Sequence, residues 1–544
     1  MRGFTRFAVA VVGMAVLSGA VPAGGHDEGA QPAATASGQT ATLIPPPDEN
    51  RSPAWCGWFD TPETGIQGDV PLADQQSGRA QQGYNCGLAV VGYNNFAGAS
   101  GSDITGSGHC AYVKSTGGIR VVDVSDPTAP VVVQTLPLTV TSENIHAVTT
   151  RDRALLVAAG APSAAGQPIP AFVWDVHDCT NPVLLGTVGF PGLSPGNPAV
   201  QSQIHNIELT PDATKIYGSL PLQVADISNL ADPSTWTVQG FQCELAAQAE
   251  PGFLGFLFSQ ARFALDFPEC ANQLAHEFEF NKAGTRMYIG GQMSGTTATL
   301  IDPQHRPWHT ELVLRVVDIT VWPPQVIGSV EPASGHGVRR ATIGGKPFLL
   351  TSNENVNPDF RTVNGCHADK DLVFGAAQAF LTDISDETQP QTVSELGLAI
   401  NKEANCPAQL ESRVRASIHY AELNDPDRTK FAMVSMGNAG QRIFDVRNPS
   451  APKEVAYWNP GMLLLPNGSP GFDATSWHPR YITLKVPCGK SSTKKCDASY
   501  ILLTSRLGFW VLELEPLIRL QLGLPLNLNT IKYPLGRPAR PPEL

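Results

Sequence analysis

One phrase recurs along this chain and constrains its fold more than anything else in it. A β-rich stretch leads to an Asp, a short polar turn often holding Pro, and a second β-rich stretch. It reads GIRVVDVSDPTAPVVV from Gly118, AFVWDVHDCTNPVLL from Ala171 and LQVADISNLADPSTWTV from Leu222. It returns as LRVVDITVWPPQVI from Leu314, AFLTDISDETQPQTV from Ala379 and QRIFDVRNPSAPKEV from Gln441. A degenerate seventh copy, GFWVLELE, starts at Gly508. The common residue is Asp123, Asp175, Asp226, Asp318, Asp383 and Asp445, with Glu513 in the last copy. Runs of Val, Ile and Leu make strands buried between sheets. The Asp can accept backbone N–H groups of the turn, and Pro ends the pairing. Fixed-period self-similarity of this kind signals a repeat architecture.

Two more strand-like pieces precede each phrase, as in QIHNIELTPDATKIYGSLP and SIHYAELNDPDRTKFAMVSMG. Four antiparallel strands per unit, repeated around an axis, make a propeller blade. The repeat resembles the LVIVD family, whose members are β-propellers, and the resemblance runs through nearly all of the chain beyond its first fifty residues. It implies an all-β, seven-bladed propeller over residues 84–515, with six blades and an irregular end piece as the alternative. The seventh copy lacks an outer strand after Glu513, while CGLAVVGYNN at Cys86 looks like an outer strand without a blade. We expect the two ends to pair and close the ring. Asp-to-Asp spacings of 52, 51, 92, 65, 62 and 68 residues place insertions in several blades, the largest near Gln242 to Ala275. Residues 516–544 read as a C-terminal extension.

Arg2 and Arg6 precede an apolar run from Phe7 to Leu17, followed by the small residues of Val21-Pro22-Ala23. That pattern reads as a signal peptide over residues 1–23 and predicts a secreted, periplasmic or cell-surface protein. Residues 24–55 read as a flexible leader. No later segment has about 20 consecutive apolar residues, so no membrane span is expected. Ten Cys in an exported chain suit disulfides. Sequence proximity pairs Cys243 with Cys270, Cys366 with Cys406 and Cys488 with Cys496, and leaves Cys56, Cys86, Cys110 and Cys179 unconnected. Gly and Pro number 51 and 46, which argues for many turns and against a helical protein. A net charge of -12 without Lys/Arg-dense runs disfavours a nucleic-acid partner.

Six of the twelve His stand at the start of a blade's first strand: His146, His205, His276, His336, His419 and His478. The first blade has SDITG there, which puts Asp103 in the corresponding place. First strands line a propeller axis, so these groups are expected to meet around one channel mouth. Imidazoles gathered there need partners for both ring nitrogens, and a bound cation supplies them. The six His are therefore candidate metal ligands, three or four of them on one ion, with an open position for a small-molecule substrate. An all-imidazole set suits copper first, with zinc and iron as alternatives. Asp103 and Glu277 are candidates for orienting rings or moving protons, although strand alternation points Glu277 away from His276. Two other readings stay open: His residues tied structurally to their own blades, or a water-filled channel without an ion. His305, His309, His177, His367 and His26 carry weaker signals. No Ser-nucleophile, nucleotide-binding or H-E-x-x-H pattern occurs.

The expected activity is a copper-dependent oxidoreductase, with metal-dependent lyase or hydrolase chemistry and a non-enzymatic extracellular scaffold as alternatives. Carotenoid-cleaving oxygenases, nitrous oxide reductase and methanethiol oxidases are similar in architecture, as His-lined metal propellers, but none of their motifs is found here.

Overall fold

A computed structural model describes residues 51–527, apart from connecting stretches at 97–100, 164–166, 191–203, 241–276, 292–312, 331–335, 353–378 and 463–477. Short gaps also fall at 59, 220–221, 322–323, 413–415, 417 and 489–490. The expected signal peptide, most of the leader, Cys243, Cys270, Cys366, His26, His276, His305, His309, His367 and the tail beyond 527 lie outside the described residues.

Seven antiparallel sheets follow one another along the chain. Their first strands are Gly101–Ser107, His146–Thr149, Ile207–Leu209, Glu277–Phe280, Val338–Ile343, Ala421–Leu423 and Arg480–Cys488, in blades 1 to 7. The first strands pack against one another around the axis, and each fourth strand lies at the periphery. This is the seven-bladed propeller expected from the repeat; the six-bladed alternative is excluded. Apolar residues of facing sheets fill the layers between blades. Leu155, Val157, Ala171 and Val173 of blade 2, for example, pack with Ile207, Ile216 and Ala225 of blade 3. Burying each Val or Leu side chain in such a layer contributes roughly 1.5–3 kcal/mol.

The recurring Asp does what its chemistry predicted. Asp123, Asp175, Asp226, Asp318, Asp383 and Asp445 each accept the N–H of the residue two positions on, at 2.8–3.0 Å. Each is also paired, by sheet register, with the second strand of its blade: Asp226 with Lys215, Asp318 with Arg286, Asp383 with Phe348. The phrase thus marks equivalent positions in blades 1 to 6.

Closure joins the ends of the chain. Leu88–Asn94 pairs antiparallel with Gly508–Leu514 and supplies the outer strand of blade 7, as expected. The segment before it goes further than the sequence suggested. Tyr84–Cys86 adds a fifth strand to blade 6 along Lys453–Asn459. Gly87, at φ 69°, turns the chain between the two blades, and a Cβ there would come within 2.7 Å of Ile518. Residues 51–83 form a strap over blade 6. From it, Glu63 meets Arg442, a fully buried guanidinium whose other carboxylate partner is Glu454 at 3.1 Å. Gln67 donates to the same Glu454 at 2.8 Å.

Cys488–Cys496 forms as expected, and Cys56–Cys86 and Cys110–Cys179 complete the pairs among described residues. Cys406 is also disulfide-bonded, with its partner outside the described residues. No described helix is long and apolar enough to cross a membrane.

A two-tier cluster in the central channel

The long connections join second strands to third strands, or outer strands to the next first strand. By the antiparallel order of each sheet, the strand ends that they join lie on the face where first strands begin. The described candidate His stand at that face, and sheet register shows which of them are equivalent. Counting from the recurring Asp, one set of first-strand positions is Thr105, His146, Glu208, Glu279, Arg339, Glu422 and Arg480. Each pairs with the corresponding second-strand residue, as in Thr105 with Tyr112, Glu208 with Tyr217 and Arg339 with Leu350. Three residues earlier come Ser102, Glu143, His205, position 276, His336, His419 and position 477. The equivalence expected for six His therefore holds for His205, His336 and His419 among the described ones. His478 stands one residue later and His146 three residues later. In blade 1 Ser102, rather than Asp103, is the counterpart; in blade 2 it is Glu143.

The upper tier is built on Glu143, which the sequence reading did not single out. Its Oε2 lies 2.8 Å from His205 Nε2 and its Oε1 lies 3.1 Å from His419 Nε2. One ligand atom from each of Glu143, His336 and His419 lies within 4.8 Å of the others. Blades 2, 3, 5 and 6 thus meet across the channel. The rings of His336 and His419 are 4.6 Å apart. His336 is buried, while the His205 side chain keeps 33% of its surface exposed. The turn carrying Glu143 is held from beneath by Lys114, whose ammonium donates to the carbonyls of Ser142 at 2.5 Å and Glu143 at 3.3 Å. Burial lowers the affinity of Lys114 for its proton, and the charges of Asp103 and Glu143 oppose that effect.

Tyr420 separates the tiers. Its ring centroid is 4.3 Å from that of His419, 4.8 Å from His336 and 3.7 Å from His478. Burial and the carboxylates of Glu143, Glu277 and Asp103 keep its phenol protonated well above the usual range.

Below it, charges are matched. His478 Nδ1 lies 2.7 Å from Asp103 Oδ1, and its Nε2 lies 3.0 Å from Glu277 Oε1. Burial and the Arg339 guanidinium, whose Nη2 lies 2.6 Å from His478 Nε2, lower the His478 pKa, but Asp103 and Glu277 outweigh them and the net shift is upward. Asp103 also accepts the Ile145 N–H at 2.9 Å; burial raises its pKa, but His478 outweighs that and holds the carboxyl below its ordinary range. Arg339 reaches Glu277 at 2.8 Å and Glu422 at 2.5 Å, and Arg480 reaches Glu422 at 2.8 Å. Glu277 meets His478 and Arg339; the expectation that alternation turns it away from His276 concerns a residue outside the described ones. Glu208 is buried and Glu279 half-buried nearby, and desolvation raises both carboxyls above their ordinary pKa.

His146 belongs to neither group. Its Nδ1 accepts the Leu209 N–H of blade 3 at 2.9 Å. Burial, followed by the positive charges of Arg480 and Arg339, brings its pKa to about 3, so the ring is neutral and joined to its neighbour blade. Among weaker candidates, His177 is exposed beside Asp175. Two further groupings, His109 with Cys110 and Cys179, and Asp60 with Cys56 and Cys86, offer sulfurs already consumed in disulfides.

The upper tier fits a metal ion chemically. It brings imidazole nitrogens and a carboxylate oxygen, the donor types that bind first-row transition metals, within one coordination sphere's reach. The sequence did carry a signal for the rest of the site. His-x-x-Glu/Arg recurs as His205/Glu208, His276/Glu279, His336/Arg339 and His419/Glu422.

Among solved structures, the chain is similar to Sqt1 of Chaetomium thermophilum at 9% identity, covering 78% of this chain and 97% of that one, with a TM-score of 0.39. It is similar to a hypothetical selenium-binding protein of Sulfolobus tokodaii at 13% identity, covering 76% and 89%, with a TM-score of 0.39. A computationally designed protein, Ika8, is similar at 8% identity, covering 78% and 99%, with a TM-score of 0.36. No curated protein matches the chain. The LVIVD repeat family matches residues 98–136, which span blade 1. The chain is a seven-bladed β-propeller that carries the LVIVD repeat.

Proposed function

We propose that this chain is an exported metal-dependent oxidoreductase whose ion is held in the upper tier of the channel. The observation that carries the reading is the convergence of Glu143, His336 and His419 within 4.8 Å, with His205 on the second oxygen of Glu143. Copper is the first candidate, because the affinity order of divalent ions peaks there. Iron(II) is the second, and Glu143 specifically favours it: two imidazoles and one carboxylate form the donor set of non-haem iron sites. The bound ion supplies Lewis acidity and one-electron chemistry.

The chain's own groups supply the rest. Lys114 fixes the turn that carries Glu143. His205, the most exposed donor, marks the side from which a small-molecule substrate enters. Tyr420 and the ion-paired tier close the channel below, so access is from the face where first strands begin. Disulfides are compatible with an extracellular location, and the signal-like residues 1–23 support export.

Metal analysis of purified mature chain, loaded with one equivalent of Cu(II) or, anaerobically, of Fe(II), tests the reading. We expect one ion per chain, with nitrogen hyperfine structure in the Cu(II) spectrum. His336→Ala/His419→Ala should lose the ion and keep the fold. A wild-type chain that binds neither ion, or a folded double variant that still binds one normally, would overturn the proposal. The metal-free outcome would favour a scaffold that presents its long connections to a partner.

A further inference from the structure

The N-terminal strap and the C-terminal helix Pro516–Gln521 meet where the ring closes, and two carboxyl groups face each other at that joint. Asp60 accepts on both oxygens: Oδ2 takes the N–H groups of Gly57 at 2.7 Å and Gly87 at 2.8 Å, and Oδ1 takes Asn85 Nδ2 at 3.0 Å, which leaves one lone pair for a further donor. Glu515 donates its backbone N–H to the Gly87 carbonyl at 3.0 Å. Its Oε2 sits so close to the strap that a Cβ on Gly57 would lie 3.0 Å from it. Among the described residues no cation neutralises the pair. Arg519, one helical turn on, directs its guanidinium to the carbonyls of Pro525 at 2.6 Å and Ser499 at 3.3 Å. Lys430 donates to the Gly523 carbonyl, and Arg447 to Asp445 and the Gln521 carbonyl. Among described groups, Asp60 is the charged side chain that acts on Glu515.

We propose that Asp60 and Glu515 form a proton-dependent clasp, closed when they share one proton and loosened when both are ionised. Two carboxylates in contact without a cation repel, whereas a protonated Glu515 can donate to Asp60. Burial, and then the charge of Asp60, raise the Glu515 pKa from its ordinary 4.5 to about 7. In the released strap Glu515 ionises near the ordinary value. The clasp's contribution is therefore complete below about pH 4.5 and declines as pH rises through the interval to about 7. The Cys56–Cys86 bond keeps the released strap tethered, so loosening is local and reversible.

Hydrogen exchange on the full chain at pH 5 and pH 7.5, corrected for intrinsic rates, tests this. Amides of residues 84–94 and 508–522 should open about tenfold more at the higher pH. Glu515→Gln, whose amide donates to Asp60 without titrating, should abolish that difference. Equal protection of the wild-type joint at both pH values, or the same pH response in Glu515→Gln, would overturn the clasp. If Glu515→Gln fails to fold, proteolysis of the wild-type strap decides. Cleavage within residues 51–60, normalised to an unfolded reporter, should rise with pH; no rise overturns the clasp.

Discussion

The upper tier of the channel sets imidazoles of three blades around Glu143, with His205 partly open to solvent. The lower tier matches Arg339, Arg480 and His478 against Asp103, Glu277 and Glu422; four of these six are buried, and Arg480 and Glu422 are partly so. The two tiers draw on first-strand positions one to three residues apart. A His at the earlier register, such as His336 or His419, joins a donor set that could hold an ion. A His one residue later, His478, becomes part of an ion-paired plug, and one three residues later, His146, hydrogen-bonds the next blade. Residue type alone therefore does not assign a role in this ring; register does, because a one-residue shift redirects the side chain.

The sharpest way to break the contrast is Arg339→Met. It would leave Glu277 and Glu422 buried without their main partner, and breaking a buried pair in this way typically costs about 3–5 kcal/mol. Denaturant unfolding should show that loss; a change under about 1 kcal/mol would mean that the lower tier does not hold the fold. Glu143→Gln should do the opposite. Metal affinity should fall about 100-fold, equivalent to about 2.7 kcal/mol of binding, while unfolding stability changes by less than about 1 kcal/mol. Competition with a chromophoric chelator measures the first quantity and thermal unfolding the second.

The pH dependence of the plug separates the tiers further. The His478 pKa is raised in the folded chain, so its contribution is complete below the ordinary value of 6.5 and is lost as pH rises through the folded one. Wild-type stability should decline above neutral pH, and His478→Gln should flatten that slope. A wild-type profile flat from pH 7 to pH 9, by denaturant titration, would show that His478 is neutral in the plug. The smallest effect belongs far from the channel. Asp383→Ala removes one turn acceptor, at 2.8 Å from the Ser385 N–H, and should cost about 1 kcal/mol by thermal unfolding, with no effect on metal binding.

Much of the fold could be read from residues close together in the chain. The Asp-turn-Pro phrase located six of the blades because the bonds it encodes span two residues. The outer-strand character of Leu88–Asn94 showed because blade 7 lacked one. The strap was harder to see: Glu63 and Arg442 are 379 residues apart, and nothing local marks their contact. In the site, His205, His336 and His419 were legible as a set. Glu143 was hidden because NIHAV resembles QIHNI, so matching His146 to His205 slips the alignment of blade 2 by three residues. Only pairing of His146 with Val157, and of Glu208 with Tyr217, shows the slip.

The sequence by itself determined a turn-rich β repeat, its seven copies and the meeting of its two ends, because strand alternation and Asp-turn chemistry act over a few residues. Tertiary structure alone decided which polar side chains share a space. Glu143 and His419 stand 276 residues apart and touch because blades 2 and 6 face the same axis. Whether a given His enters that contact depends on strand register, which is set by the packing of whole blades rather than by the residues beside it.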